Sequence, residues 1–100
     1  MNKENEKELI NRRRRQILVH SYIYYRRNES IINDHLYDQW GMELVRLQKE
    51  YPNVAEECIF ADEFKDYDGS SGFDLPIGDP LVISTSEKIL KYVKNNKGGK

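Results

Sequence analysis

Five residues in the first half of the chain have types and spacings suited to holding an aromatic cation or a ribose: Tyr24, Tyr25, Asp34, Tyr37 and Asp38. Read helically, the first two end one helix and the other three open the next, at spacings of three and four that project side chains to one side. Tyrosine faces attract a planar cation, and either carboxylate can accept hydrogen bonds from ribose hydroxyls. The same residues also admit a structural account. Tyr24 and Tyr37 would brace two helices, and Asp34 and Asp38 would complement the positive end of a helix dipole.

Other groups suggest other chemistry. His20, His35, Asp38 and Cys58 are competent zinc ligands, and His35 and Asp38 stand three apart on one helix. No short spacing unites the four, so zinc is a lesser expectation than ordinary helix-face histidines. The run Arg12, Arg13, Arg14 and Arg15 is either a solvated surface or a contact for a polyanion or an acidic partner. The only cysteine cannot form an internal disulfide and reads as a small buried hydrophobe. There is no nucleophile elbow, no H-E-x-x-H and no phosphate-cradling glycine loop, so the chain is expected not to be an enzyme.

These residues need helices to position them. Ile10, Ile17 and Tyr24 at heptad spacing, with Leu18, Tyr22 and Tyr25 beside them, predict a first helix over about 3–27. Residues 26–30 read as a turn. Asn33 caps a second helix from Asp34 to about Tyr51, where Leu36, Trp40, Leu44, Leu47 and Tyr51 form one apolar stripe that packs antiparallel on the first. Gly41 within it costs about 1 kcal/mol relative to Ala, which suggests close approach of another backbone. After Pro52, Asn53 and Glu56 read as a capping box for a third helix over about 53–67, with Phe60, Phe64 and Tyr67 on one face. The segment 68–79 reads as a loop pinned by Phe73, Leu75 and Ile77. Asp79 and Pro80 then open a fourth helix over about 80–95 carrying Leu81, Ile89, Leu90 and Val93, and 96–100 is expected to fray. The expected fold is thus all-α, a small single domain over 1–95 of about four helices, built on an antiparallel hairpin over about 3–52.

The stretch His20, Tyr22, Tyr24, Tyr25, a short turn, then Ile32, Asp34, Tyr37, Asp38 and an amphipathic helix ending at Pro52 resembles the N-terminal helical domain of NAD-dependent bacterial DNA ligases. The resemblance needs no gap and covers about a third of the chain. It implies that Tyr24, Tyr25, Asp34, Tyr37 and Asp38 contact the nicotinamide mononucleotide (NMN) half of NAD, so the cofactor expectation is NMN or NAD. Asn33 and Leu36 replace the Ser and Glu that form a capping box in the ligases, which keeps the cap and drops the reciprocal bond. The run from Lys65 to Gly69 has one residue too many to match the ligase Lys-x-Asp-Gly signature. A complete ligase, with its adenylation, oligonucleotide-binding and zinc modules, does not fit in 100 residues. In length and lysine-ended tail the chain is similar to small ligase-related proteins of bacteriophages of Gram-positive bacteria.

Composition bounds the function further. With 38% hydrophobic residues and a net charge of −1, the chain has enough apolar content for one modest core. No stretch is apolar enough to span a bilayer or to serve as a signal peptide, so an intracellular location is expected, and the resemblance to phage proteins makes that the cytoplasm of a bacterial host. Near-neutrality hides opposite blocks: residues 1–30 carry a balance of +4, residues 31–80 of −9 and residues 81–100 of +4. Together with what the resemblance implies, three functional expectations are carried forward. The first is a non-enzymatic phage or prophage adaptor acting on a protein or nucleoprotein partner, with nucleic-acid contact through the basic helix. The second is an NMN- or NAD-binding module. The third is a counter-defence inhibitor whose acidic middle docks on a host nuclease complex.

Overall fold

The long periodic segment at the start of the chain forms a helix because its apolar residues recur on two adjoining faces. The computed structural model describes residues 3–69 and 75–98 and places α1 over Lys3–Arg26, α2 over Asp34–Glu50, α3 over Pro52–Glu57, α4 over Ala61–Phe64 and α5 over Pro80–Gly98, with no strand among the described residues. The fold is all-α, as the periodicity predicts.

α1 is the central helix, and Ile10, Ile17, Leu18, Ser21 and Ile23 on it are wholly buried. α2 runs antiparallel to it: Arg13 pairs with Glu43, Arg14 donates to Gln48, and further along α1 the Ser21 hydroxyl meets that of Tyr37. α5 runs parallel to α1. Ser86 Oγ donates to the Val19 carbonyl, Tyr22 Oη donates to Glu87 Oε2 at 2.8 Å, and Lys94 reaches Glu29. α1 therefore buries one face against α2 and another against α5, with Leu44 and Leu47 on one side and Val82 and Leu90 on the other.

Local signals set several boundaries. Asn33 caps α2, its Oδ1 accepting from Leu36 N–H at 2.7 Å. Asp79 caps α5, accepting from the N–H of Leu81 at 2.9 Å. Gly41 is buried, and a Cβ there would lie 2.9 Å from Tyr67 Oη and 3.5 Å from the Gly69 carbonyl, so the expected close backbone approach is present. Ile77 is buried and Leu75 half-buried, while Phe73 lies outside the described residues.

The single helix expected over 53–67 is instead two short ones. α3 starts at Pro52 with Tyr51 at its N-cap position and no side-chain cap, so Asn53 and Glu56 do not form a capping box. The break at Cys58–Phe60 is held from α1: Asn11 Oδ1 accepts from Ile59 N–H at 2.9 Å and Arg14 Nη1 donates to the Ile59 carbonyl at 2.7 Å. Phe60 then turns the chain with φ of 56°. Two further differences concern α5. It continues helically to Gly98, past the expected end at 95, and its buried stripe starts at Val82 rather than at Leu81, which is 71% exposed.

Candidate functional site

The end of α1 and the start of α2 enclose a cavity of about 250 Å³. α1 stops where Asn28 takes a left-handed conformation with φ of 55°, a region Asn tolerates better than most side chains, and Glu29 N–H turns back to the Ile23 carbonyl at 3.1 Å. Ser30 Oγ donates to the Ile32 carbonyl at 2.6 Å and tightens the turn before the Asn33 cap. The consequence is that the last turn of α1 faces the first turn of α2. Tyr24, Tyr25, Asp34, Tyr37 and Asp38 all line the one cavity, together with His20, Ser21, Ile23 and the turn residues Ser30, Ile31 and Ile32.

Its walls differ in character. Tyr24 and Tyr25 stand edge to face, with ring centroids 4.9 Å apart, and Tyr24 is 57% exposed, so its ring is available at the rim. Tyr37 is half-buried and its hydroxyl shares a 2.6 Å hydrogen bond with Ser21 Oγ, tying the deep end of the cavity to α1. Burial pushes the Tyr37 phenol above its ordinary value, and the Ser21 bond only partly opposes this, so the group is a neutral hydroxyl at physiological pH. His20 packs its ring 5.3 Å from that of Trp40, and burial lowers its pKa, leaving a neutral imidazole. Asp34 and Asp38 are therefore the formally charged groups among the described lining residues. A cavity with aromatic faces and two carboxylates suits a planar cation that carries hydroxyls.

The metal candidates are not brought together as a set: His20 and Asp38 line the one cavity, and Cys58 and His35 are not among its lining residues. Cys58 is buried among α3 and α1 backbone, its Sγ donating to the carbonyls of Val54 at 3.2 Å and Lys7 at 3.6 Å. His20 lies against Trp40, and His35 and Asp38 are exposed on α2. Among the described residues no group of three or more His, Cys, Asp and Glu side chains could hold a metal ion, so the zinc expectation finds no site.

The four arginines separate. Arg12 is exposed and pairs with Glu8 at 2.8 Å, and Arg13 bridges to Glu43 of α2. Arg14 is 1% exposed, donates to Gln48 Oε1 and the Ile59 carbonyl, and lies 5.5 Å from the Phe64 ring centroid. Arg15 is exposed and has no ion pair among the described residues. The run therefore does not form one polyanion surface: helix geometry places consecutive residues on different faces, and Arg14 falls on the stripe of Ile10, Ile17, Leu18 and Ser21. That stripe was the sequence signal for Arg14. Ser21, a polar residue on the same stripe and three before Tyr24, was likewise the available signal for a deep cavity group.

The model of the DNA ligase-like, N-terminal NAD+-binding domain matches residues 3–57. A DNA ligase of Pseudothermotoga lettingae is 39% identical over 51 residues, which are 51% of this chain and 8% of that protein. The chain thus corresponds to a small fraction of that relative's length. No solved structure matches it. The matched segment takes in α1, α2 and α3, with every residue of the cavity and more than half of the chain, and on that ground the chain belongs to the family of DNA ligase-like, N-terminal NAD+-binding domains.

Proposed function

We propose that the cavity between α1 and α2 recognises the nicotinamide mononucleotide half of NAD, or the free mononucleotide. The observation that carries this reading is the convergence of Tyr24, Tyr25, Asp34, Tyr37 and Asp38 on one cavity whose formal charge is negative. An oxidised nicotinamide is a planar cation, so it gains from the tyrosine faces and from both carboxylates, while the ribose hydroxyls are matched by carboxylate acceptors. Size narrows the ligand. At about 250 Å³ the cavity lies below the roughly 300–1,000 Å³ of pockets that enclose a drug-sized ligand, so it is too small for the whole dinucleotide and would cover at most part of one half. The adenylate half would project outward, where a second protein surface could cover it, and the module would then act with a partner rather than as an enzyme by itself.

Titration of the isotope-labelled protein with oxidised NMN, reduced NMN and NAD, followed by amide shifts, tests this. Saturable shifts at Tyr24, Asp34, Tyr37 and Asp38 with the oxidised forms, and weaker ones with the uncharged reduced ring, are expected. Tyr24→Ala should weaken binding by about two- to thirtyfold, the range for one cation–π contact. Silence of these amides with all three ligands, or equal binding of the oxidised and reduced rings, would overturn the reading.

A further inference from the structure

A second concave surface lies on the opposite side of α1, away from the nucleotide cavity, and is built largely from residues beyond the family match. It is a groove of about 420 Å³ between α1, the Ile59–Phe60 turn and the first turns of α5. Val19 and Val82 form its buried floor. Leu81, at 71% exposed, and Ile59 form apolar walls that face solvent, and Arg15 stands at one edge. Leu81 and Ile59 are thus two exposed apolar side chains lining one groove over a buried apolar floor.

Two features give the groove a chemistry. Among the described residues Arg15 is the one charged side chain that lines it and, unlike those of Arg12, Arg13 and Arg14, that side chain has no ion pair or hydrogen bond there. Arg15 thus sets an exposed cation beside apolar surface. The other feature is that the groove wall is held in place at a cost. Phe60 keeps a left-handed backbone that a bulky side chain rarely adopts, and both backbone groups of Ile59 are clamped by Asn11 and Arg14 of α1. The wall is therefore preorganised before anything binds, which reduces the ordering that a ligand must otherwise impose.

We propose that this groove docks a short segment of a partner protein that carries one bulky apolar side chain beside an Asp or Glu. The apolar residue sits on Val19 and Val82 between Leu81 and Ile59, and the carboxylate pairs with Arg15. This surface is separate from the nucleotide cavity, so the proposal does not rest on nucleotide binding.

The test is selection of a displayed library of short random peptides on the full chain, followed by amide-shift titration of the labelled protein with the enriched peptide. Enrichment of a Leu, Ile, Phe or Trp adjacent to Asp or Glu is expected, with saturable shifts at Arg15, Ile59, Leu81 and Thr85. Replacing the acid of the selected peptide by Lys should weaken binding by roughly two- to fivefold, the range of one exposed ion pair, and Arg15→Glu should reverse that preference. Leu81→Glu, at an exposed site that the fold does not need, should abolish binding while the spectrum stays folded. The proposal is overturned by a library that yields no motif, by peptides that bind the Leu81→Glu variant equally well, by an enriched basic rather than acidic neighbour, or by concentration-dependent shifts of the same amides without peptide, which would make the occupant a second copy of this chain.

Discussion

At the residue scale, burial decides what the titratable side chains do, and His20 gives the clearest pH signature. Its folded pKa is lowered by desolvation, so the unfolded chain takes up the proton first as pH falls. Stability attributable to His20 is therefore complete above the unfolded value of about 6.5 and is lost as the pH drops from there toward the lowered folded value. Urea midpoints measured at roughly pH 7.5 and pH 5.5 should fall on acidification, and His20→Gln should flatten that dependence. An unchanged slope in the variant would mean that other groups carry it. Arg14 makes a second prediction. Arg14→Ala strands the Gln48 amide oxygen and the Ile59 carbonyl and should cost about 2–4 kcal/mol, whereas Arg12→Ala, which removes an exposed pair with Glu8, should stay within about 0.5 kcal/mol. Similar losses in denaturant titrations of the two variants would show that the run behaves as a surface after all. Cys58 follows the same logic: burial raises its thiol pKa, so the native protein should react slowly with a thiol reagent and quickly once unfolded.

At the scale of elements, the contact between α2 and the segment that follows α4 is the most constrained. Tyr67 Oη is buried without a hydrogen-bond partner among the described residues and occupies the space where a Cβ on Gly41 would go. Gly41→Ala alone trades a helix-propensity gain of about 1 kcal/mol against displacement of that hydroxyl. Tyr67→Phe removes both the orphaned group and the clash. The alanine should accordingly be more favourable in the Tyr67→Phe background than in the native one, by about 1 kcal/mol in a double-mutant cycle read from urea unfolding. Strict additivity would show that the two residues do not compete for this space. Where elements obey local signals, the sequence was readable: Asn33 caps α2 with its own side chain, Asp79 caps α5, and the stripe through Leu44 and Leu47 turns inward. The third helix departs from its expected span because its break is imposed from outside. Nothing within residues 53–67 announces that Asn11 and Arg14, more than forty residues earlier, claim both backbone groups of Ile59.

At the scale of the whole molecule, α1 serves two partners at once. Val19 and Tyr22 lose their cover if α5 is removed, because Ser86 and Glu87 are the groups that meet them. A fragment of residues 3–57, the segment matched by the ligase family, should therefore retain helical far-ultraviolet circular dichroism yet show poorly dispersed amide resonances. A fully dispersed spectrum from that fragment would assign α5 a role other than completing the core. Hydrogen exchange of the full chain should be slowest along 17–23 of α1, the part enclosed from both sides, and fast in the four-residue α4.

The amino-acid sequence by itself determined the helical class, the α1–α2 hairpin and the N-caps of α2 and α5, because helix period and N-capping act between residues a few positions apart; the five candidate site residues came from the resemblance to the ligase domain, and the turn between α1 and α2 brings them to one cavity. The tertiary structure alone decided that Arg14 finds Gln48 and the Ile59 carbonyl as its buried partners, that the chain breaks at Ile59 and Phe60, that α5 lies parallel to α1, and that no three of the candidate metal ligands converge among the described residues. Each of these depends on which groups meet across long separations in the chain. Burial, desolvation and the satisfaction of backbone hydrogen bonds are properties of that meeting, and no local pattern encodes them.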